Sequence, residues 1–138
     1  MLEKIIPNLA VARLDRSIEF YRRVLGFEVV FVIGKERGVV DDFAQGAFAM
    51  LARDEQNLML QTVESLAGEL PLFEGTRPTP GGTVYFRGID PEDAKARAES
   101  SEIVKGPFQQ WYDMREIYLR DPDGHILCAG MPCESATV

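Results

Sequence analysis

Residues 115–130, REIYLRDPDGHILCAG, join two short apolar runs through an Asp-Pro-Asp-Gly turn, and no other stretch limits the possible folds as much. Pro122 presets φ for a turn and Gly124 tolerates φ > 0, so the flanking runs 116–120 and 125–129 are expected to pair as a hairpin. Residues 48–61, FAMLARDEQNLMLQ, repeat the form: apolar run, polar four-residue turn, apolar run. The chain therefore reads as one unit used twice.

The rest of the chain supports two copies. Residues 5–11 alternate as a first strand, with Pro7 inside it arguing for an edge position or an early start. In LDRSIEFYRRVLGF, Leu14, Ile18, Tyr21 and Leu25 recur at helical spacing. Asp15 as N-cap and Gly26 as stop then place a helix over about 16–25. FEVVFVI (27–33) has the composition of a buried strand. Residues 39–46 are ambiguous, and the hairpin 48–63 completes the first unit over residues 1–64. Residues 65–80, rich in Pro and Gly, read as a linker. The second unit, 81–138, opens with a strand over 83–87, then a helix to about Glu99 with Asp90 as N-cap and Pro91 in its first turn. A short strand over 102–105, an aromatic loop over 106–114 and the closing hairpin follow. Each half reads β, α, β, β, β, an α+β class. The strands after each helix are joined by turns too short for parallel crossovers, which excludes a doubly wound sheet.

Composition narrows the function classes. The 138 residues suffice for one compact domain or two small halves sharing a core. Formal charge is 15 basic minus 22 acidic, or −7, with no Lys/Arg block, which disfavours nucleic acid and anionic membranes as partners. If charge selects a partner, that partner is neutral or cationic. No apolar run spans a bilayer and the N-terminus lacks signal-peptide order, so a cytoplasmic location is expected. Cys128 and Cys133 match no zinc spacing and read as free thiols.

The pattern IPNLAVARLDRSIEFYRRVLGFEVVF, the repeated βαβββ order and the ending MREIYLRDPDGHILCAG resemble the vicinal oxygen chelate superfamily, which includes glyoxalase I, extradiol dioxygenases and bleomycin-resistance proteins. The resemblance implies two βαβββ modules whose curled mixed sheets surround an open barrel-like pocket, usually in a homodimer. It also implies a divalent metal held by a His on the first strand and a Glu on the last strand of each module. In this sequence the His positions fall on Ile6 and Thr83. The Glu positions fall on Gln61, or Met59 if the register slips by one pair, and on Cys128. None of these is His or Glu, so the metal chemistry loses its ligands. The chain's one His, His125, follows the turn residue Gly124 and reads as a turn histidine.

The metal-free members that the chain resembles are bleomycin-resistance proteins, which bind a cationic aromatic glycopeptide in a cleft. The opening segment, the neutral Ile6 and an aromatic loop with Gln110 and Trp111 carry this likeness. The expectation is then a small-molecule binder with no cofactor and no metal, taking a neutral or cationic aromatic ligand at a homodimer interface. The expected lining residues are Asn8, Phe48, Met59, Gln61, Phe108, Trp111, Tyr112, Arg115 and Tyr118. Tyr112, Asp113 and Met114 depart from the Gly-rich stretch of those proteins, and Trp111 reads equally well as lining or as packing. The alternative is a glyoxalase-type lyase, isomerase or dioxygenase with a displaced metal site drawn from Asn8, Gln61, His125 or Cys128.

Overall fold

A computed structural model describes residues 1–134 of the 138 and resolves the chain into two compact units. The first comprises Met1–Arg22 and Gly26–Pro78, the second Arg23–Leu25 and the chain from Thr79. The last four residues of the expected second module lie outside the described residues.

In the first unit, β1 (Asn8–Val11), β2 (Glu28–Gly34), β3 (Gly46–Arg53) and β4 (Gln56–Thr62) form a mixed sheet in the order β1-β4-β3-β2. Only β1 and β4 run parallel. Alternation gives the sheet two chemically distinct faces. Val11, Val32, Ala49, Leu51, Leu58 and Leu60 are buried on one. Phe31, Ile33, Phe48, Met50, Met59 and Gln61 lie on the other, half-buried or exposed. Helix α1 (Leu14–Arg23) buries the apolar stripe that the sequence spacing predicts, including Leu14, Ile18 and Tyr21. Gly46 leaves no room for a side chain under this helix, since a Cβ there would meet Leu14 Cδ2 at 2.5 Å and Val32 Cγ1 at 2.6 Å.

The stretch expected as a linker is structured at its start. Helix α2 (Val63–Glu69) begins where the Thr62 hydroxyl accepts from the Ser65 N–H, and Leu66 anchors it by burial. A 3-10 turn, Pro71–Phe73, follows. The Pro/Gly signal therefore marked only 70–80, because a seven-residue helix has too few apolar positions to be read from periodicity. The ambiguous stretch 39–46 holds another 3-10 turn, Phe43–Gln45, capped by Asp42.

The second unit repeats the order: β5 (Thr83–Arg87), α3 (Pro91–Arg97), β6 (Ile103–Gln109), β7 (Met114–Arg120) and β8 (Ile126–Pro132), with sheet order β5-β8-β7-β6. Asp90 caps α3 through the Glu92 N–H and Pro91 occupies its first turn, as the sequence predicts. In the closing turn, Gly124 has φ 88° and the Asp121 carboxylate accepts from the Asp123 and His125 N–H groups. This Asx arrangement makes the buried Asp121, more than Pro122, the residue that sets the turn.

β1 is shorter than its sequence signal, starting at Asn8 after Pro7 where a strand over 5–11 is expected, whereas β6, β7 and β8 run longer than theirs. β6 takes in residues 106–109 of the loop expected at 106–114, because register shifts near Lys105 and Phe108 let an irregular segment still pair with β7. Both sheets are four-stranded and neither closes on itself.

Candidate functional site

The two sheets use the same register, and that places the family positions. Asn8 pairs with Met59, and Tyr85 with Cys128. One pair further along, Ala10 meets Gln61 and Arg87 meets Gly130. Met59 and Cys128 are thus equivalent, and so are Gln61 and Gly130; the one-pair slip allowed by the sequence is what makes the two halves match.

In the second unit a carboxylate that the sequence reading passed over becomes central. Glu116, on β7, faces the same side of the sheet as Tyr85, Cys128 and Tyr118, and it is 0% exposed. The Tyr85 hydroxyl donates to its Oε2 at 2.6 Å, the Tyr112 hydroxyl to both oxygens at 2.8 Å, and the Gln110 amide to Oε1 at 3.2 Å. Burial raises the Glu116 carboxyl, but these donors outweigh it and hold it below the ordinary glutamate range. The charge acts back on its neighbours. The bond to Glu116 pushes the Tyr112 hydroxyl up to about 12, and burial with that bond raises Tyr85 further. Burial, then the Glu116 charge, pushes the Cys128 thiol up to about 12. At neutral pH Cys128 is a protonated thiol, not a nucleophile.

Gly130 makes this cluster possible. A Cβ there would lie 2.7 Å from the Tyr85 hydroxyl oxygen and 3.1 Å from Glu116 Cγ, so only glycine lets the phenol cross β8. Around the cluster, Phe108 stacks on Tyr118 with centroids 6.2 Å apart, and Lys105 Nζ stands 4.4 Å above the Phe108 ring. Trp111, 90% exposed, meets Tyr112 edge-on at 5.2 Å. Gln110, Trp111 and Tyr112 sit on the tight β6–β7 turn, closed by Gln110 N–H to Met114 O and completed by Asp113 at φ 60°.

The expected lining residues separate into three groups. Phe108, Tyr112 and Tyr118 gather around Glu116, with Trp111 against Tyr112. Phe48, Met59, Gln61 and Asn8 share the half-open face of the first sheet, where Asn8 Nδ2 donates to Gln61 Oε1 at 3.0 Å. Arg115 lies on the opposite face of its sheet and pairs with Glu92 of α3 at 2.6 Å. Glu116 escaped the sequence reading because its donors are scattered over residues 85–112; the one available signal was an acid alternating with apolar residues in MREIYLR.

The donor set does not fit a divalent metal. Ile6 offers hydrocarbon, Met59 a thioether, Gln61 a carboxamide, Thr83 a hydroxyl and Cys128 a thiol held protonated. Among the described residues no group of three or more His, Cys, Asp or Glu is placed to hold an ion. Glu116 already accepts from three side chains.

Residues 5–129 match the model of the glyoxalase/bleomycin resistance protein/dioxygenase superfamily, and the chain belongs to that superfamily. A protein of unknown function from Agrobacterium tumefaciens str. C58 has a TM-score of 0.73 at 21% identity, over 95% of this chain and 94% of its own. Lactoylglutathione lyase from Agrobacterium tumefaciens gives 0.66 at 23% identity, over 95% of each chain. A virulence protein from Salmonella typhimurium gives 0.63 at 25% identity, over 96% of this chain and 98% of its own. No curated protein matches the sequence significantly. Among the described residues, no helix is long and apolar enough to cross a membrane.

Proposed function

We propose that the protein is a metal-independent binder that sequesters a neutral or cationic aromatic small molecule. The observation that carries this reading is the aromatic face built over Glu116. Two phenols donate their hydroxyls to one buried carboxylate, which enriches their rings in electron density and favours a cation or a polarised ring above them. Lys105 over Phe108 is an internal example of the same preference. The net charge of −7 adds long-range attraction for a cation. The ligand cleft is completed by a second copy of the chain.

A carboxylate held below its normal pKa and saturated with donors is poorly suited to proton transfer at neutral pH, which supports binding over catalysis. The test is a titration followed by Trp111 fluorescence, using metal-free bleomycin and the planar cation ethidium. Saturable one-to-one binding supports the reading. An unchanged signal with both compounds removes it.

A further inference from the structure

A cavity of about 600 Å3 opens in the first unit where the ends of β2 and β4, the start of β3 and α2 meet. Phe48 and Ile33 supply apolar wall, Gln61 and Ser65 polar wall, and Lys35 and Arg37 border the same space. Glu64 and Glu69 line the same cavity, so in a chain of net charge −7 its two cations are matched by two carboxylates and the lining is formally neutral. Lys35 stands 3.5 Å from Glu64, but both side chains are well exposed and water screens the pair. The Arg37 guanidinium has no ion-pair partner among the described residues. Glu69, the last residue of α2, also borders the cavity, so its field is mixed, and discrimination must come from directed donors.

Two features supply that direction. Arg37 is held at φ 68°, a conformation unfavourable for a side chain with a Cβ, in a turn closed by Gly34 N–H to Gly38 O at 2.8 Å and Arg37 N–H to Gly34 O at 3.0 Å. The backbone thus fixes where the arginine starts. Independently, Asn8 Nδ2 donates to Gln61 Oε1 at 3.0 Å and Gln61 Nε2 donates to Ser65 Oγ at 2.9 Å. Both bonds run toward Ser65, whose oxygen accepts and whose own hydrogen is left to donate. A relay oriented one way strengthens its terminal donor, and this one ends at the cavity wall.

We infer that this cavity binds a planar apolar molecule bearing an anionic group such as a carboxylate or sulfonate. The rings lie against Phe48 and Ile33, and Arg37, Lys35 and the Ser65 hydroxyl donate to the anion. The cavity is built within the first unit, and the inference does not rest on the aromatic face over Glu116.

The experiment compares two fluorescent probes on the whole chain: anilinonaphthalene sulfonate and phenylnaphthylamine, which has the same rings without the sulfonate. The sulfonate is expected to bind saturably, one per chain, and more tightly. Arg37→Ala should weaken it about tenfold while changing the neutral dye less than twofold. Arg37→Gly relieves the backbone and should melt above Arg37→Ala, yet must lose sulfonate affinity to the same extent. Ser65→Ala should weaken the sulfonate a few-fold. Equal affinity for the two dyes, or unchanged sulfonate affinity in either Arg37 variant, overturns the assignment.

Discussion

The Tyr85 hydroxyl donates to the Glu116 carboxylate at 2.6 Å across the intervening strand β8, above the position where Gly130 has no side chain. The three strands of the second sheet that carry these residues are thereby joined on one face by a side-chain bond. Gly130→Ala should break that bond or displace the strand, at a cost of about 1–3 kcal/mol in urea unfolding. Adding Tyr85→Phe removes the atom a new Cβ would strike, so the double variant should lose less than the sum of the singles.

Acid unfolding should report the same cluster. The folded pKa of Glu116 lies below its unfolded value of about 4.3, so its contribution is fully present above that pH and is lost as pH falls through the folded value. In a Tyr85→Phe/Tyr112→Phe variant the folded pKa rises toward normal. Its stability should fall less steeply than the parent's between about pH 5 and pH 3, measured by denaturant midpoints across that range.

The thiols should differ in reactivity. Cys128 is buried with its thiol raised to about 12, whereas Cys133 is half-buried. Ellman's reagent at neutral pH should modify Cys133 promptly in the folded protein and Cys128 only on unfolding. Prompt modification of both would mean that Cys128 is neither buried nor held protonated.

Much of this architecture is readable in the residues, and the unread part has identifiable causes. The hairpins, α1 and the capped start of α3 were legible because their signals are local: alternation, 3.6-residue spacing, Asp-Pro at a helix start and Gly124 at a turn. Helix α2 was not, since its stability rests on Thr62 and Leu66 in a stretch dominated by Pro and Gly. Of the candidate site, the absence of His and Glu from the family positions was legible by counting. Glu116 was not, because a buried acid is defined by its donors, and Tyr85, Gln110 and Tyr112 come together only through sheet pairing and the β6–β7 turn.

Trp111 separates binding from folding. It is 90% exposed and touches Tyr112 edge-on, so Trp111→Ala should change stability by no more than about 0.5 kcal/mol. The same substitution should weaken ethidium several-fold, read by calorimetry since the fluorophore is gone. Equal affinity would move the ligand away from the β6–β7 turn.

Metal independence of the aromatic face is tested most directly by calorimetric titration of ethidium into metal-stripped protein in excess chelator. The expected result is one-to-one binding, unchanged by the chelator and weakened about tenfold by Tyr112→Ala, which removes a ring from the face over Glu116. Binding that disappears with the chelator and returns with a stoichiometric divalent metal would contradict it.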